Sequence, residues 1–357
     1  MMRLFIAFSA TCALLAQNPP PPKPSPTEDT GAVIRTTHTV VVAPTTVLDH
    51  KGDYVTGLQP SDFTLYDNNK PQRITADVSY EPISLVMAIQ ASDMLTDVLP
   101  KVQRIGNEVT DLVVGAGGEI AVLAFDHRIQ MLQDFTDDGG KVSESLKKLK
   151  AGSSTHAMND AVIESVRMLR RRPEVRRRIL VLISEKRDKG SQARLKETLT
   201  DLEFANIAVY AIDIPHLETL LTGKSMPPRP DPIPATANHM PAGGTATPTM
   251  IDQNRTSNFI PMFVEIFKGT KSIFVDDALD VFTRYTGGKQ YSFVKAKTLD
   301  RSVEALGQEI HNQYLLSYSP NNQEEGGFHE IRVVVNRPSL EIRTRPGYWV
   351  ASRPEGQ

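Results

Sequence analysis

Four runs of this sequence constrain what it can fold into: "ISLVMAI" (83–89), "EIAVLAF" (119–125), "RRILVLISE" (177–185) and "IAVYAIDI" (207–214). Each is apolar almost throughout, without alternation, as expected of a strand covered on both faces. Each is also too short to cross a bilayer. Amphipathic helices separate them. After the first run, Val98, Val102, Ile105, Val109 and Leu112 form one stripe, with Pro100 in the first turn and Gly115, Gly117 and Gly118 as stop signals. "IQMLQDF" (129–135) reads as a shorter edge strand and "DDGGKVSESLKKLK" as a short helix. A longer helix aligns Met158, Val162, Val166 and Leu169, and another aligns Leu195, Leu199 and Leu202. Strand and helix in alternation with short connections predict an α/β fold, a doubly wound, mostly parallel sheet. Ligands of such sheets sit beyond the C-terminal ends of the strands. The turn "QASDM" after the first strand is therefore the first place to look for function.

The pattern breaks at 215–258, a stretch rich in Pro, Thr, Ala and Gly, read as an insertion with one helical turn at 217–221. It resumes with "DDALDVFTRYTGGKQYSF", a helix stopped at Gly287-Gly288 and a strand. A last helix sets Leu299, Val303, Leu306 and Ile310 in register. Both ends of the chain read as β. Before the α/β part come "THTVVVAPTTVLD" and a hairpin in which Phe63 and Leu65 lead to a turn at Asp67-Asn68-Asn69 and a return strand with Ile74, Ala76 and Val78. After it come "QYLLSYSP", "HEIRVVVN" and "LEIRTRPGYWV".

The first sixteen residues, a positive start followed by an apolar run and then "QNPPPPKPSPTEDTG", read as a secretory signal peptide. An uncleaved anchor is the alternative. The only cysteine, Cys12, lies inside that run, so the exported chain would hold no disulfide and no cysteine-bound metal. The expected organisation is a leader (1–16), a Pro-rich linker (17–30), an N-terminal β domain (31–80), an α/β domain (81–312) with its insertion, and a C-terminal β segment (313–357). The location is periplasmic or extracellular. A formal net charge of -2 gives no general pull towards nucleic acid or an anionic membrane.

"PISLVMAI" with its polar turn, "GSSTHAMNDA" and "ILVLISEKRDKGS" together resemble the succession found in von Willebrand factor type A domains. The flanks "VLDHKGDYVTGLQPSDFTLYDNNKPQRI" and "RTRPGYW" resemble those of the VWFA-related exported proteins of acidobacteria. The resemblance implies a type A, Rossmann-like fold that mediates protein contacts. It also implies a metal-ion-dependent adhesion site, in which Mg²⁺ is held by an Asp-x-Ser-x-Ser turn, a Thr in a second loop and an Asp ending a later strand. Here those positions hold Gln90, Ser92 and Met94, then Ser154 or Thr155, then Glu185, with Asp93 where the family has Gly. A small hard cation wants charged oxygen donors, and this set has lost a carboxylate and a hydroxyl. The expectation is a degenerate site without metal or other cofactor, closed by hydrogen bonds from Gln90, Ser92 and Thr155, with Lys186 in the cation's place. If a metal binds, Ser92, Thr155 and Glu185 would hold it.

No other constellation points to catalysis. Ser153 or Ser154 with His156 and Asp160 lacks an oxyanion hole, and the plainer expectation is helix capping by Ser154 or Thr155 beside an exposed His156. The run "RMLRRRPEVRRR" reads as a solvated helix end, with binding of an acidic partner, a nucleic acid or an anionic surface as the alternative. The function expected is an exported, non-enzymatic binding or scaffold module with a protein partner. A metal-dependent adhesion protein with a non-standard site is the alternative, and an envelope hydrolase a more distant one.

Overall fold

Every side chain of the strand Ile83–Gln90 is buried, and the fold is built outward from it. The computed structural model describes residues 40–77, 82–93, 99–214, 259–268, 277–292 and 296–350. The expected leader, linker and insertion, together with Val78, Met94 and Val98, lie outside the described residues. In chain order the strands are β1 (Val41–Leu48), β2 (Phe63–Asp67), β3 (Lys70–Gln72), β4 (Ile74–Asp77) and β5 (Ile83–Gln90). They continue as β6 (Glu119–Phe125), β7 (Ile129–Thr136), β8 (Arg177–Ser184), β9 (Ala208–Asp213) and β10 (Gln290–Ser292). The last are β11 (Tyr314–Tyr318), β12 (Gly327–Val335), β13 (Glu341–Thr344) and β14 (Gly347–Val350). The helices are α1 (Leu99–Val102), α2 (Gly106–Glu108), α3 (Gly139–Lys147), α4 (Met158–Arg170), α5 (Leu195–Phe204), α6 (Phe259–Lys268), α7 (Ala278–Thr286) and α8 (Ala296–Asn312).

The central sheet runs β10-β9-β8-β5-β6-β7. All neighbours are parallel except β7, which turns back on β6 as an edge strand. This is the doubly wound α/β fold that the alternation of runs predicts. Strand parity sorts the core into two layers. Leu85, Met87 and Ile89 face the side of α1, α3 and α8, whereas Val86 and Ala88 face that of α4, α5 and α7. Chain order reverses at β5, which places the sheet's switch point at Gln90 and the start of the loop after β8.

The helix expected after β5 is broken. Past α2 the chain widens over Val109–Val114, where the Gly115 N–H donates across five residues to Thr110 O at 3.1 Å. The extra residue shifts the phase of the stripe. Val113 and Val114 are buried, and Leu112 is left 45% exposed. The broken segment packs against α8 at Gly307, where a Cβ would come within 2.3 Å of the Leu112 carbonyl. Only a residue without a side chain allows that approach.

The arginine run divides: Arg167, Arg170 and Arg171 are exposed at the end of α4, as a solvated helix end requires, whereas the four that follow are drawn into the fold. Arg172 grips Glu119 through two hydrogen bonds of 2.6 Å. Arg176 reaches Ser84 Oγ and the carbonyls of Ile83 and Gly117. Arg177 is buried, bonded to Ile310 O and Gln313, and Arg178 ties to the carbonyls of Arg172 and Ala205. These guanidiniums satisfy backbone ends along the N-terminal edge of the sheet, opposite the switch point.

The two β-rich ends of the chain pair with each other. One sheet runs β13-β1-β11-β4 and a second β14-β12-β2-β3. They share one core, in which Val41, Ala43 and Leu316 of the first meet Leu65, Val333 and Val335 of the second. The hairpin turn is Asn68-Asn69, both at positive φ, as a two-residue turn between twisted strands requires. Its return strand is shorter than expected. β3 stays beside β2, but β4, with Ile74 and Ala76, crosses to the other sheet and pairs with β11. α6, which the sequence reading missed, joins this sandwich to the α/β layer. Trp349 stacks on Phe267 at 5.1 Å and Phe328 on Phe263 at 6.3 Å.

Inside the sandwich, Asp67 is fully buried and accepts from the Tyr318 and Tyr348 hydroxyls, Asn322 Nδ2 and His329 Nδ1 at 2.7–2.9 Å. Burial opposes its charge, but the bonds from His329, Tyr348 and Asn322 outweigh it and hold the carboxyl below its ordinary range. Removing this acceptor strands four buried donors. Asp67→Ala is expected to cost about 3–5 kcal/mol, read as a fall in the urea midpoint at unchanged slope.

Candidate functional site

The switch point gathers the C-terminal ends of the strands and the loop before α4. Gln90 closes β5 and is fully buried. Its amide oxygen accepts from Ser184 Oγ at 2.8 Å and from the Glu185 backbone N–H at 2.9 Å. A backbone N–H needs an acceptor, which fixes the orientation of the amide. The NH₂ group therefore faces the other way, donating to Ser92 Oγ at 2.8 Å and to His156 Nδ1 at 3.3 Å, with Glu185 Oε2 at 3.5 Å beyond. The position from which a metal would be ligated thus presents hydrogens to Ser92 and Glu185. A hard divalent ion needs oxygens there, so this arrangement does not fit one.

The second loop contributes a different residue from those expected. Around Gln90 the bonds run to His156, not to Ser154 or Thr155. His156 is fully buried, correcting the expectation of an exposed ring. Its Nε2–H donates to Arg187 O at 2.6 Å, which leaves Nδ1 as the acceptor for Gln90. Burial pushes its pKa down against the raising effects of the Arg187 carbonyl and the Glu185 charge. Neither Ser154 nor Thr155 caps α4. The Met158 and Asn159 N–H groups donate to Asp188 Oδ1, and in return Asp160 accepts from Gln192 and Ala193 N–H.

Lys186 also lies elsewhere than expected. Its ammonium sits 3.4 Å from Asp213 and 3.0 Å from Asp277, and it is Lys189 that approaches Glu185, at 3.5 Å. A common pattern emerges at three strand ends. Asp126, Glu185 and Asp213 are all buried, and each meets a cation of the same chain: Arg128, Lys189 and Lys186. Burial works against Asp126, but the N–H groups of Arg128 and Ser153 and the Arg128 side chain prevail, and its pKa lies below the usual range. For Asp213 burial wins over Lys186, and its pKa is raised. Asp93 is exposed, and its N–H donates to Ser153 O, stitching the β5 turn to the second loop. Gly152 makes the adjoining contact, since a Cβ there would lie 2.1 Å from Asp126 Oδ2.

One constellation escaped the sequence reading because its members look unrelated in the chain. Ser153 Oγ lies 2.8 Å from His127 Nδ1, which is 3.4 Å from Asp126 Oδ2. The same ring nitrogen faces both partners, whereas a catalytic relay uses one nitrogen for each. The Ser153 hydroxyl hydrogen is directed at Thr155 O. Ser153, His156 and Asp160 do not converge either, as their bonds above lead to three different places.

No family model matches the chain, and no curated protein does. Among solved structures it is similar to the SpRpn10 VWA domain, with 14% identity over 39% of this chain and 78% of that one, at a TM-score of 0.33. It is similar to the conserved hypothetical protein BatB from Bacteroides thetaiotaomicron, with 15% identity, 64% and 97% coverage and a TM-score of 0.36. It is also similar to proximal thread matrix protein 1 from the mussel byssus, with 10% identity, 72% and 51% coverage and a TM-score of 0.41. Such likenesses concern the fold alone and add nothing to the strand order read from the chain itself.

Two outcomes follow from the Gln90 bonds. Gln90→Ala leaves the Ser184 hydroxyl and Glu185 N–H without their acceptor and is expected to lower stability by about 1–3 kcal/mol for each buried donor, measured by urea unfolding. His156 is expected to hold its neutral Nε2–H form below pH 6.5, the ordinary histidine midpoint, as read from its ring nitrogen shifts. Because the unfolded chain takes up that proton first, stability falls as pH drops below about 6.5, by at most ~1.4 kcal/mol per pH unit from this one group. His156→Gln is expected to flatten that part of the pH dependence.

Proposed function

We propose that this chain is an exported, non-enzymatic protein-binding or scaffold module on a type A-like fold. Its recognition surface is the C-terminal edge of the parallel sheet: Gln90 to Asp93, Ser153 to His156 and Glu185 to Lys189. The carrying observation is the Gln90 amide, whose hydrogens occupy the direction in which a metal-dependent adhesion site would offer oxygens. On this reading the adhesion site is degenerate, and contact with the partner is made without an ion. Export rests on the apolar leader of the sequence, and among the described residues no helix is long and apolar enough to cross a membrane. The non-enzymatic reading is supported by the bonds of Ser153, His127 and His156, none of which sets a nucleophile against an oriented base.

Calorimetric titration of the mature chain with Mg²⁺, Mn²⁺ and Ca²⁺ is expected to give no saturable binding. Tight binding abolished by Glu185→Ala would overturn the degenerate-site reading. A pull-down with the same chain is expected to retain a partner equally with and without chelator, and to lose it in an Asp93→Arg, Ser154→Arg double variant. Retention that ignores the double variant would remove the strand-end edge from the proposal.

A further inference from the structure

Beside the Gln90 site lies a cleft of about 330 Å³. Among its lining residues Ala91, Ala124 and Leu149 are buried apolar groups and Leu132 is half-buried. Its rim carries Arg128, Lys148 and Lys150, with Asp126 at one end. The volume gives room for an acidic side chain with its flanking backbone and too little for a folded surface or a nucleic-acid duplex.

The charges in this cleft are unequally committed. Asp126 is saturated, receiving the Arg128 and Ser153 N–H groups and the Arg128 guanidinium. Arg128 is therefore partly spent on it. Lys148 and Lys150 are exposed, and among the described residues neither has an acidic group within ion-pair distance. Glu144, one turn before Lys148, feels its charge but is bonded to Lys147 at 2.6 Å. Two uncommitted ammoniums thus share with apolar groups the lining of a cavity that opens next to the proposed recognition edge.

We propose that this cleft receives an acidic peptide segment, with an Asp or Glu carboxylate between Lys148 and Lys150 and the side chain's methylenes on Leu132 and Leu149. The inference rests on the protein-binding reading above and names the chemistry of the partner. An extended peptide suits the site better than a free anion, because an inorganic ion leaves the apolar lining uncovered. It suits it better than a polyanion, because the charge is confined to one small rim in a chain of net charge -2.

Fluorescence anisotropy of the mature chain with a fluorescein-labelled octaglutamate peptide tests this. Binding is expected, weakening as salt shortens the screening length. It should weaken about tenfold in a Lys148→Ala, Lys150→Ala double variant, as the loss of two exposed ion pairs predicts. A Lys141→Ala, Lys147→Ala variant removes the same charge from the neighbouring exposed turns and is expected to leave binding unchanged. Absence of binding, or equal weakening in both double variants, overturns the proposal. So does displacement of the peptide by inorganic phosphate at equal concentration, which would make the cleft a small-anion site. The two readings separate cleanly. Octaglutamate binding that persists while the Asp93→Arg, Ser154→Arg variant retains its partner sinks the strand-end edge alone. A partner lost by that variant but held by the Lys148→Ala, Lys150→Ala variant sinks the acidic-peptide cleft alone.

Discussion

A strand buried along its whole length can end in only a few ways. β5 is covered on both faces and flanked by β6 and β8, so the group at its C-terminal end has little access to water. A carboxylate there needs a counter-ion, because an unpaired charge in such a place is far costlier than an unpaired dipole. Gln90 resolves this with a neutral group of similar length. Its oxygen gathers donors from β8, and its hydrogens meet Ser92 and His156. The arrangement binds strand end, turn and second loop into one hydrogen-bonded unit. The position of everything else on this edge follows from it.

The neighbouring strand ends take the other route. Asp126, Glu185 and Asp213 keep their carboxylates and bring a cation close to each. The cations come from short local excursions of the chain: Arg128 two residues after its acid, and Lys189 four residues after its own. An edge with three internally matched charges and one amide is pre-formed. All four groups are buried and met by partners of the same chain. That is consistent with a recognition surface set by packing and hydrogen bonds, and it leaves the adjoining Lys148 and Lys150 as the uncommitted charges of the cleft.

Much of this was legible in the sequence, and the reasons for the misses are physical. Continuous apolar runs identified the central strands, because two-sided burial leaves no polar alternation. The topology pointed to the C-terminal ends of the strands, where the structure gathers Gln90, Ser92, His156 and Glu185. Partner choice was not legible. Lys186 and Lys189 are near neighbours in the chain, and only the path of the loop decides that the second meets Glu185. His156 looked like a surface residue because it precedes a helix, and its burial depends on Arg187 and Gln90 from two other segments. Leu112 fell off its stripe because one wide turn changed the helical phase. α6 was missed because it borders the Pro-rich stretch, and its aromatic rings find their partners in β12 and β14, far along the chain. Only the first half of the arginine run is solvated charge, and nothing local announces that Glu119, Ile310 and Gln313 lie within reach of Arg172 and Arg177.

The interleaving of the two chain ends bears on how the molecule would carry load. β1 lies between β11 and β13, so early and late strands alternate across the first sheet, and in the second the early pair β2–β3 meets the late pair β12–β14 through β2 and β12. The whole α/β layer is spliced into this clasp between β4 and β11. Tension drawn across this clasp would enter at β1, held by β11 and β13, and at β14, held by β12. A pull on either strand would have to break one of these ladders before it reached the α/β layer.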